Sequence, residues 1–199
     1  MLSRTERLFK RTFDIVMALF VIALSWWVVL LAWFIASVET KSNGLFRQKR
    51  IGREGKPFTL YKIKTMKALD GVDTTVTTSQ DKRITKSGAF FRKFKIDELP
   101  QLFNVLFGSM SFVGPRPDVP GFADKLEGED RHILSLRPGI TGPASLKYKE
   151  EEQLLAEQKD PERYNREVIW PDKVKINLDY LKSWSLKKDI IYIIRTVTG

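Results

Sequence analysis

Asp97 and Glu98 are the side chains of this sequence best suited to covalent chemistry, because they are adjacent carboxylates in a basic setting. Residues 82–95, just before them, contain six Lys or Arg residues and no acid. Pro100 follows at a position typical of a first helical turn, so Asp97 is predicted to cap a helix N-terminus. Basic neighbours and a helix N-terminus both favour the charged carboxylate, and an ionised Asp97 could act as a nucleophile beside a Glu98 that holds Mg²⁺. A structural N-cap followed by an ordinary Glu explains the same residues, and the pair alone leaves both interpretations open.

A second chemical signal is Arg116, which stands between Pro115 and Pro117. Proline restricts its own backbone and that of the residue before it, so this arginine is predicted to be held rigidly. A fixed guanidinium suits bidentate binding of a phosphate, although a surface arginine in a stiff loop fits equally well. A third, weaker signal is the sequence RPGITG at residues 137–142, where two glycines allow a turn whose backbone amides face an anion.

The composition excludes several kinds of active site. The 199 residues include no Cys and one His, so a thiolate nucleophile, a disulfide and a structural zinc cluster are all excluded. A Ser-His-Asp triad would depend on His132, which has no neighbour in sequence that suggests catalysis and is predicted to lie on the surface. Covalent chemistry is left to a hydroxyl, a lysine or a carboxylate, and a metal would be a hard cation such as Mg²⁺.

An uncharged segment at residues 15–38 is the first element that must position these residues. Its 24 residues are enough for a helix to cross a hydrocarbon core of about 30 Å, and its length and Trp content argue against a signal peptide. A buried core helix is the alternative. Basic residues flank both ends, and such residues favour the cytoplasmic side. The flanks therefore allow either a simple span or a re-entrant hairpin whose ends return to one face.

Two polar residues mark this segment. Ser25 lies near its middle, where the hydroxyl could bond back to the carbonyl of Val21 and bend the helix. Asp14 lies at its edge and is predicted to pair with Lys10 or Arg11.

The rest of the chain is predicted to form one compact domain, with short strands and several helices. Residues 41–67 carry nine basic residues and one acidic residue, a net charge of +8. The patterns predict strands at residues 45–46 and 58–63, a mobile loop at 68–81, helical spacing from residue 90, a rigid connection at 111–120, an acidic helical stretch at 149–167, and amphipathic helices at 172–184 and 188–197.

These motifs together resemble the bacterial sugar transferases, the monotopic phosphoglycosyl transferases, in their minimal form. The resemblance rests on residues 46–66, 82–117 and 137–142, and on the sequence KRTFDI at residues 10–15. It implies a transferase that moves a sugar-1-phosphate from a UDP-sugar to a polyprenol phosphate such as undecaprenyl phosphate, releasing UMP. The implied mechanism is ping-pong through a phosphosugar-aspartyl intermediate, as the first membrane step of glycoconjugate or polysaccharide assembly.

The resemblance also implies roles for individual residues. Asp97 is the nucleophile, Glu98 is its catalytic partner, and Mg²⁺ is bound near these two carboxylates. The residues matched to substrate and phosphate binding are Lys62, Arg92, Arg116 and Pro117.

The family's architecture implies an α+β fold, mainly helical, with a re-entrant membrane helix at residues 1–40 and a small α/β catalytic domain with interfacial helices at residues 41–199. The implied location is the cytoplasmic face of the bacterial inner membrane, with no nucleic acid as partner. Three positions depart from the family pattern. Trp26 follows Ser25 where a proline is common, Ser109 replaces an Asp, and residues 94–96 differ from the usual Thr-Ser-Leu type.

The electrostatics agree with this interpretation, since basic clusters of +8 and +6 flank a carboxylate pair that would handle several phosphates. A non-catalytic, membrane-tethered protein that binds anions is the competing hypothesis. It leaves the Asp–Glu pair and the Pro-Arg-Pro segment unexplained.

Overall fold

The computed structural model describes residues 2–67, 81 and 83–199, and in this part of the chain the fold is mainly helical with two small sheets. This confirms the predicted mainly helical α+β class. The predicted loop at residues 68–81 lies outside the described residues, apart from Asp81. The helices are α1 (Arg4–Thr40), α2 (Lys86–Lys93), α3 (Gln101–Leu106), α4 (Pro143–Lys147), α5 (Glu151–Ala156), α6 (Pro161–Tyr164), α7 (Trp170–Lys182) and α8 (Leu186–Thr198), and the strands are β1 (Leu45–Ile51), β2 (Pro57–Ile63), β3 (Ser111–Val113) and β4 (Gly139–Thr141).

Helix α1 contains the uncharged segment and is long and apolar enough to cross a membrane by length and composition. It begins with a capping box between Ser3 and Glu6. The Ser25 hydroxyl donates to the Val21 carbonyl over 2.7 Å, as predicted. The helix nevertheless continues without interruption through Ser25, whereas the family resemblance implies a break there. The physical reason is Trp26, which keeps the backbone N–H that a proline at this position would lack.

One stripe of α1 packs against the rest of the protein along most of the helix. Ala18, Ala32 and Ala36 are buried in this stripe, and Ser25 lies between them, partly buried. Small side chains at helical spacing let the other elements approach the helix axis closely. Within the uncharged segment, the rest of α1 exposes large apolar side chains, namely Val16, Leu19, Phe20, Leu24, Trp26, Trp27, Leu30, Leu31, Trp33, Phe34 and Val38.

The buried polar residues at the N-terminal end of α1 hold other elements rather than one another. Asp14 accepts hydrogen bonds from the Ser111 hydroxyl and the Phe112 N–H, each over 3.0 Å. The prediction that Asp14 pairs with Lys10 or Arg11 is therefore wrong, because both cations have partners elsewhere. The Arg11 guanidinium donates to the last two carbonyls of α3, and the Lys10 ammonium forms a buried ion pair with Asp189 of α8 over 2.5 Å.

The hairpin of β1 and β2 is antiparallel, with Leu45 opposite Ile63 and Ile51 opposite Pro57. Both strand predictions are confirmed, and β1 is longer than predicted. The strands join through a 3-10 turn at Arg53–Gly55 that uses left-handed backbone at Glu54. The two predicted amphipathic helices at the C-terminal end are also confirmed, as α7 and α8.

The second sheet is a short parallel pair, β3 and β4, in which Ser111 lies opposite Gly139. Residues 139–141 of the sequence RPGITG form β4 of this sheet. The Gly139 N–H donates to the Pro115 carbonyl over 2.8 Å, and a Cβ at Gly139 would lie 2.2 Å from the Gly114 nitrogen. The predicted anion-binding turn is thus corrected: this motif forms β4 and holds the backbone immediately before Arg116.

Candidate active site

The carboxylate pair lies in a 3-10 turn, Ile96–Glu98, between α2 and α3. Lys95 enters this turn with left-handed backbone, φ 57°. Helix α3 starts after Pro100, which makes no side-chain cap, so the prediction that Asp97 caps a helix is wrong. The abrupt change of direction at Lys95 places Asp97 inside the turn, and its carboxylate is left for other partners.

Glu98 is a charged anchor for two cations. Its Oε1 accepts from the Lys62 ammonium and from the Arg116 guanidinium, both over 3.1 Å. The Glu98 side chain is only 10% exposed. Burial acts to raise its pKa, but Lys62 and then Arg116 hold the pKa of Glu98 well below its usual range. Glu98 is therefore ionised at neutral pH.

Asp97 has the opposite balance. Its side chain is 8% exposed, and the nearest cation, the Lys62 ammonium, stands 3.9 Å from Oδ2. Burial raises the pKa of Asp97 above its usual value, Lys62 opposes the rise, and Glu98 adds to it. Two adjacent carboxylates whose pKa values move apart can take different roles, one as a fixed charge and one as a more basic, more nucleophilic oxygen.

Apolar residues next to the charged residues of the site pack this region against α1. Ile63, Phe91 and Ile96 pack with Ala32 and Ala36 of the buried stripe. They are the immediate sequence neighbours of Lys62, Arg92 and Asp97. Since successive residues of a strand point to opposite faces, burying Ile63 turns Lys62 toward the carboxylates.

Arg116 is presented by the backbone after β3. Its side chain is 45% exposed at the same time as it contacts Glu98, so part of the guanidinium faces solvent. Pro117 is buried, and its carbonyl accepts from the Arg50 guanidinium over 3.0 Å. The predicted rigid presentation of Arg116 thus comes from β4 on one side and from Arg50 on the other.

Arg92 lies at the Asp97 side of the site, where its charge acts to lower the Asp97 pKa. Its guanidinium forms a 2.5 Å ion pair with Glu152 of α5. Of the predicted site residues, Lys62 contacts both Asp97 and Glu98, and Arg116 contacts Glu98. Arg92 has an acidic partner, Glu152. Ser25 lies on α1 and has no contact with these side chains among the described residues.

Comparison with known proteins now decides the family. The family model described as bacterial sugar transferase matches residues 5–199, almost the whole chain. The chain belongs to the bacterial sugar transferase family. The resemblance seen in the sequence is therefore confirmed.

Relatives of this bacterial sugar transferase carry names that specify different sugars. The UDP-glucose:undecaprenyl-phosphate glucose-1-phosphate transferase of Escherichia coli (strain K12) is 35% identical over 98% of the chain and 41% of the relative. The UDP-N-acetylgalactosamine-undecaprenyl-phosphate N-acetylgalactosaminephosphotransferase of Aeromonas hydrophila is 32% identical over 94% of the chain and 42% of the relative. The uncharacterized sugar transferase EpsL of Bacillus subtilis (strain 168) is 32% identical over 94% of the chain and 85% of the relative. The chain thus spans about two fifths of the length of the first two.

The structure of this sugar transferase adds site residues that sequence reasoning missed. Asp118 directly follows Pro117, and burial raises its pKa to about 7, against the opposing charges of Lys173, Arg50 and Arg116. Arg50, Lys62 and Arg116 line one small cleft together with Gln101 and Pro117. The position of Asp118 after the Pro-Arg-Pro segment was a usable signal, whereas the contribution of Arg50 depends on a hairpin brought close by folding.

The carboxylates fit a magnesium ion only in part. Mg²⁺ is commonly held by one or two carboxylates, with waters and substrate phosphates completing six oxygens. Asp97 and Glu98 supply two carboxylates, and no cluster of three or more potential side-chain ligands occurs among the described residues. Glu98 Oε1 already serves two cations. The donor set therefore suits a Mg²⁺ that arrives with a phosphate substrate.

Proposed function

We propose that this chain transfers a sugar-1-phosphate from a UDP-sugar to undecaprenyl phosphate or a similar polyprenol phosphate, with Asp97 as the nucleophile. The observation that carries the proposal is the split pair: a buried Asp97 of raised pKa beside a Glu98 held ionised by Lys62 and Arg116. The names of the relatives support this class of donor and acceptor.

In the first half-reaction, an Asp97 carboxylate oxygen attacks the β-phosphorus of the donor. The bond from that phosphorus to the bridging oxygen breaks, UMP leaves with the bridging oxygen and its electron pair, and a phosphosugar-aspartyl intermediate forms. Charge accumulates on the phosphoryl oxygens during this step. Lys62 and the exposed part of Arg116 stand where they can stabilise that charge.

In the second half-reaction, a phosphate oxygen of the polyprenol phosphate attacks the same phosphorus. The bond to Asp97 breaks, the carboxylate is regenerated, and a polyprenyl-diphospho-sugar is released. The attacking oxygen is already anionic, so no base is required at this step. Mg²⁺, held by Asp97 and Glu98, would neutralise phosphate charge.

Membrane placement is part of the proposal. We assign anchoring to residues 1–40 and catalysis to residues 41–199, at the cytoplasmic face of the bacterial inner membrane, in polysaccharide or glycoconjugate assembly. The domain packs along α1 from Lys10 to Ala36, while the rest of the helix exposes large apolar residues. A helix upright across the bilayer would carry this charged domain into the hydrocarbon, at high cost. We propose a re-entrant placement with both basic flanks on one side, which avoids that cost and requires α1, continuous in the structure, to bend near Ser25 in the membrane.

Release of UMP tests the reaction. The purified full chain in lipid nanodiscs is given Mg²⁺, undecaprenyl phosphate and, in separate reactions, UDP-glucose, UDP-N-acetylgalactosamine and other UDP-sugars. We expect UMP with at least one donor and none with Asp97→Asn. Donor carrying a radiolabel in its sugar should label the wild-type protein when acceptor is omitted.

Two outcomes would contradict the proposal. Wild-type rates in Asp97→Asn would remove the nucleophile assignment. Binding of UDP-sugars without UMP release from any donor would favour the non-catalytic, membrane-tethered protein that binds anions.

A further inference from the structure

Helix α5 brings two adjacent carboxylates to the edge of the candidate site. Glu152 pairs with Arg92, which is 60 residues away in sequence. Glu151 places both of its oxygens 2.7 Å from the ammonium of Lys173 on α7. The acidic stretch that contains α5 is thus fixed to the site on one side and to α7 on the other.

The two ion pairs differ in how readily a ligand can replace them. The Arg92 and Glu152 side chains are 25% and 47% exposed, so solvent reaches this pair. The Glu151 and Lys173 side chains are less exposed. Exposed ion pairs are weak, and a phosphate can bind a guanidinium through two oxygens. A phosphate ligand therefore exchanges with Glu152 more easily than with Glu151.

Arg92 differs from the other cations of the site, because its ion pair is with a carboxylate outside the Asp97–Glu98 pair. Lys62 and Arg116 contact Glu98, inside the site. Arg92 acts on Asp97 through its charge while its guanidinium faces Glu152. An anion that binds Arg92 must therefore compete with the Glu152 carboxylate.

We propose that Glu152 competes with the donor for Arg92: its carboxylate holds Arg92 while the donor is absent, and a phosphate of the donor must displace it. This inference rests on the proposed function, since it assigns the site to a nucleoside-diphosphate donor. Uridine, which has no phosphate, cannot compete for Arg92 and is unaffected by Glu152. The pair between Glu151 and Lys173 keeps α5 attached when Glu152 is displaced.

A double-mutant cycle on ligand affinity tests the competition. The dissociation constants of UDP and of uridine are measured by calorimetry with the full chain in nanodiscs, for wild type, Glu152→Gln, Arg92→Gln and the double variant. We expect Glu152→Gln to bind UDP about two- to five-fold more tightly, the range of an exposed ion pair, with unchanged uridine affinity. In the Arg92→Gln background, removing Glu152 should change nothing.

Glu150→Gln is the matched control, since it removes the same charge from the residue before Glu151. Glu150 is exposed and forms no ion pair in the part of the chain that the structure describes. Its UDP affinity should match wild type. Glu152→Asp keeps the charge and should also stay near wild type, and melting curves show that each variant is folded.

Equal gains in Glu150→Gln and Glu152→Gln, or a gain that survives in the Arg92→Gln background, would overturn the inference. Failure here is distinguishable from failure of the proposed function. A wild-type protein that releases UMP but shows no coupling between Arg92 and Glu152 rejects only the competition. A protein that releases UMP from no donor rejects the transferase, whatever the cycle gives.

Discussion

At the scale of residues, the site is built by giving two identical functional groups different surroundings. Glu98 meets two cations at 3.1 Å, while the nearest cation to Asp97 is 3.9 Å away. Both carboxylates are nearly buried, so the difference in pairing decides their protonation. Glu98 is a permanent charge, and Asp97 has no cation as close, as the proposed nucleophile requires.

Lys62 should control the pH dependence of the reaction. In the proposed reaction only ionised Asp97 attacks, so UMP release is expected to fall as pH drops through the raised pKa of Asp97. Lys62 is the strongest influence opposing that rise, so Lys62→Met should move the half-maximal pH upward. The rate at high pH should also fall, by about 100-fold, because a cation near the phosphoryl oxygens is lost.

The measurement is the rate of UMP release at pH values from about 5 to about 9, in steps of about half a unit. Lys64→Met is the control, since Lys64 follows β2 and bonds to Ser42 instead of the carboxylates. An unshifted profile in Lys62→Met would show that Lys62 does not act on Asp97.

The sequence identifies these residues better than it identifies their partners. Asp97, Glu98 and Arg116 stand out because adjacent carboxylates and a proline-flanked arginine are local patterns. The ion pair of Arg92 with Glu152 joins residues 60 positions apart, so no local pattern contains it. Asp14 shows the same limit, because its partners, Ser111 and Phe112, lie almost a hundred residues away.

At the scale of elements, the two small sheets and α1 place the charged side chains. The start of β3 is bound by Asp14, and β4 holds the backbone before Arg116. A sequence pattern could predict β1 and β2, because short apolar or β-branched runs stand on either side of the turn residues Gly52 and Gly55–Pro57. It could not predict β3 and β4, because each has three residues and their pairing requires glycine only for close approach.

Close approach at Gly139 should be essential to the position of Arg116. In Gly139→Ala the new Cβ would lie 2.2 Å from the Gly114 nitrogen and 2.4 Å from the Thr141 carbonyl, so the strands must separate. We expect a loss of about 1–3 kcal/mol in the free energy of unfolding, with reduced UMP release. Denaturant titration and the UMP assay measure the two effects.

Gly128→Asn is the matched control for that change. A Cβ at Gly128 meets nothing within 4 Å, and its φ of 54° is one that Asn adopts. It should leave stability and rate close to wild type. A Gly139→Ala variant as stable as this control would show that β3 and β4 need no direct backbone contact.

The junction of α1 with α8 is a buried ion pair, and breaking it should be costly. Lys10 and Asp189 pair over 2.5 Å, with Tyr180 and Trp184 also bonded to Asp189. Asp189→Asn leaves the Lys10 ammonium buried without a counter-charge, so we expect a loss of about 3–5 kcal/mol in the free energy of unfolding.

Denaturant titration in detergent micelles measures that loss. Asp179→Asn is the control, because Asp179 is exposed on α7, and its effect should stay within about 0.5 kcal/mol. Equal stability of the two variants would show that the pair does not hold α8 against α1.

At the scale of the whole molecule, α1 has one exposed apolar face and one face packed on the rest of the protein, so the proposed anchor is also part of the fold. The absence of cysteine from the sequence makes its placement directly measurable. Thr5 and Lys49 are both exposed and lie on either side of the apolar segment. A cysteine at either position is therefore a unique label.

We expect Thr5→Cys and Lys49→Cys to react with a membrane-impermeant maleimide only after the inner membrane has been permeabilised. Both ends of the segment would then lie on that side, as the proposed re-entrant placement requires. A cysteine added at an exposed periplasmic loop of a known membrane protein is the positive control for labelling in intact cells. Labelling of the two positions from opposite sides would establish a simple span.

The buried stripe of α1 also sets the distance between the strand that leads to Arg116 and the residues beside Lys62 and Arg92. Asp14 binds the strand that leads to Arg116, and Ala36 packs with the neighbours of Lys62 and Arg92. The 22 steps between Asp14 and Ala36 correspond to about 33 Å, and one inserted residue would turn one end by about 100° relative to the other. If α1 lies in the bilayer as proposed, the apolar segment cannot be lengthened or shortened to suit a thicker or thinner bilayer without moving Arg116 relative to Asp97. Adaptation to a different lipid environment must instead come from the outward-facing side chains or from deformation of the bilayer itself.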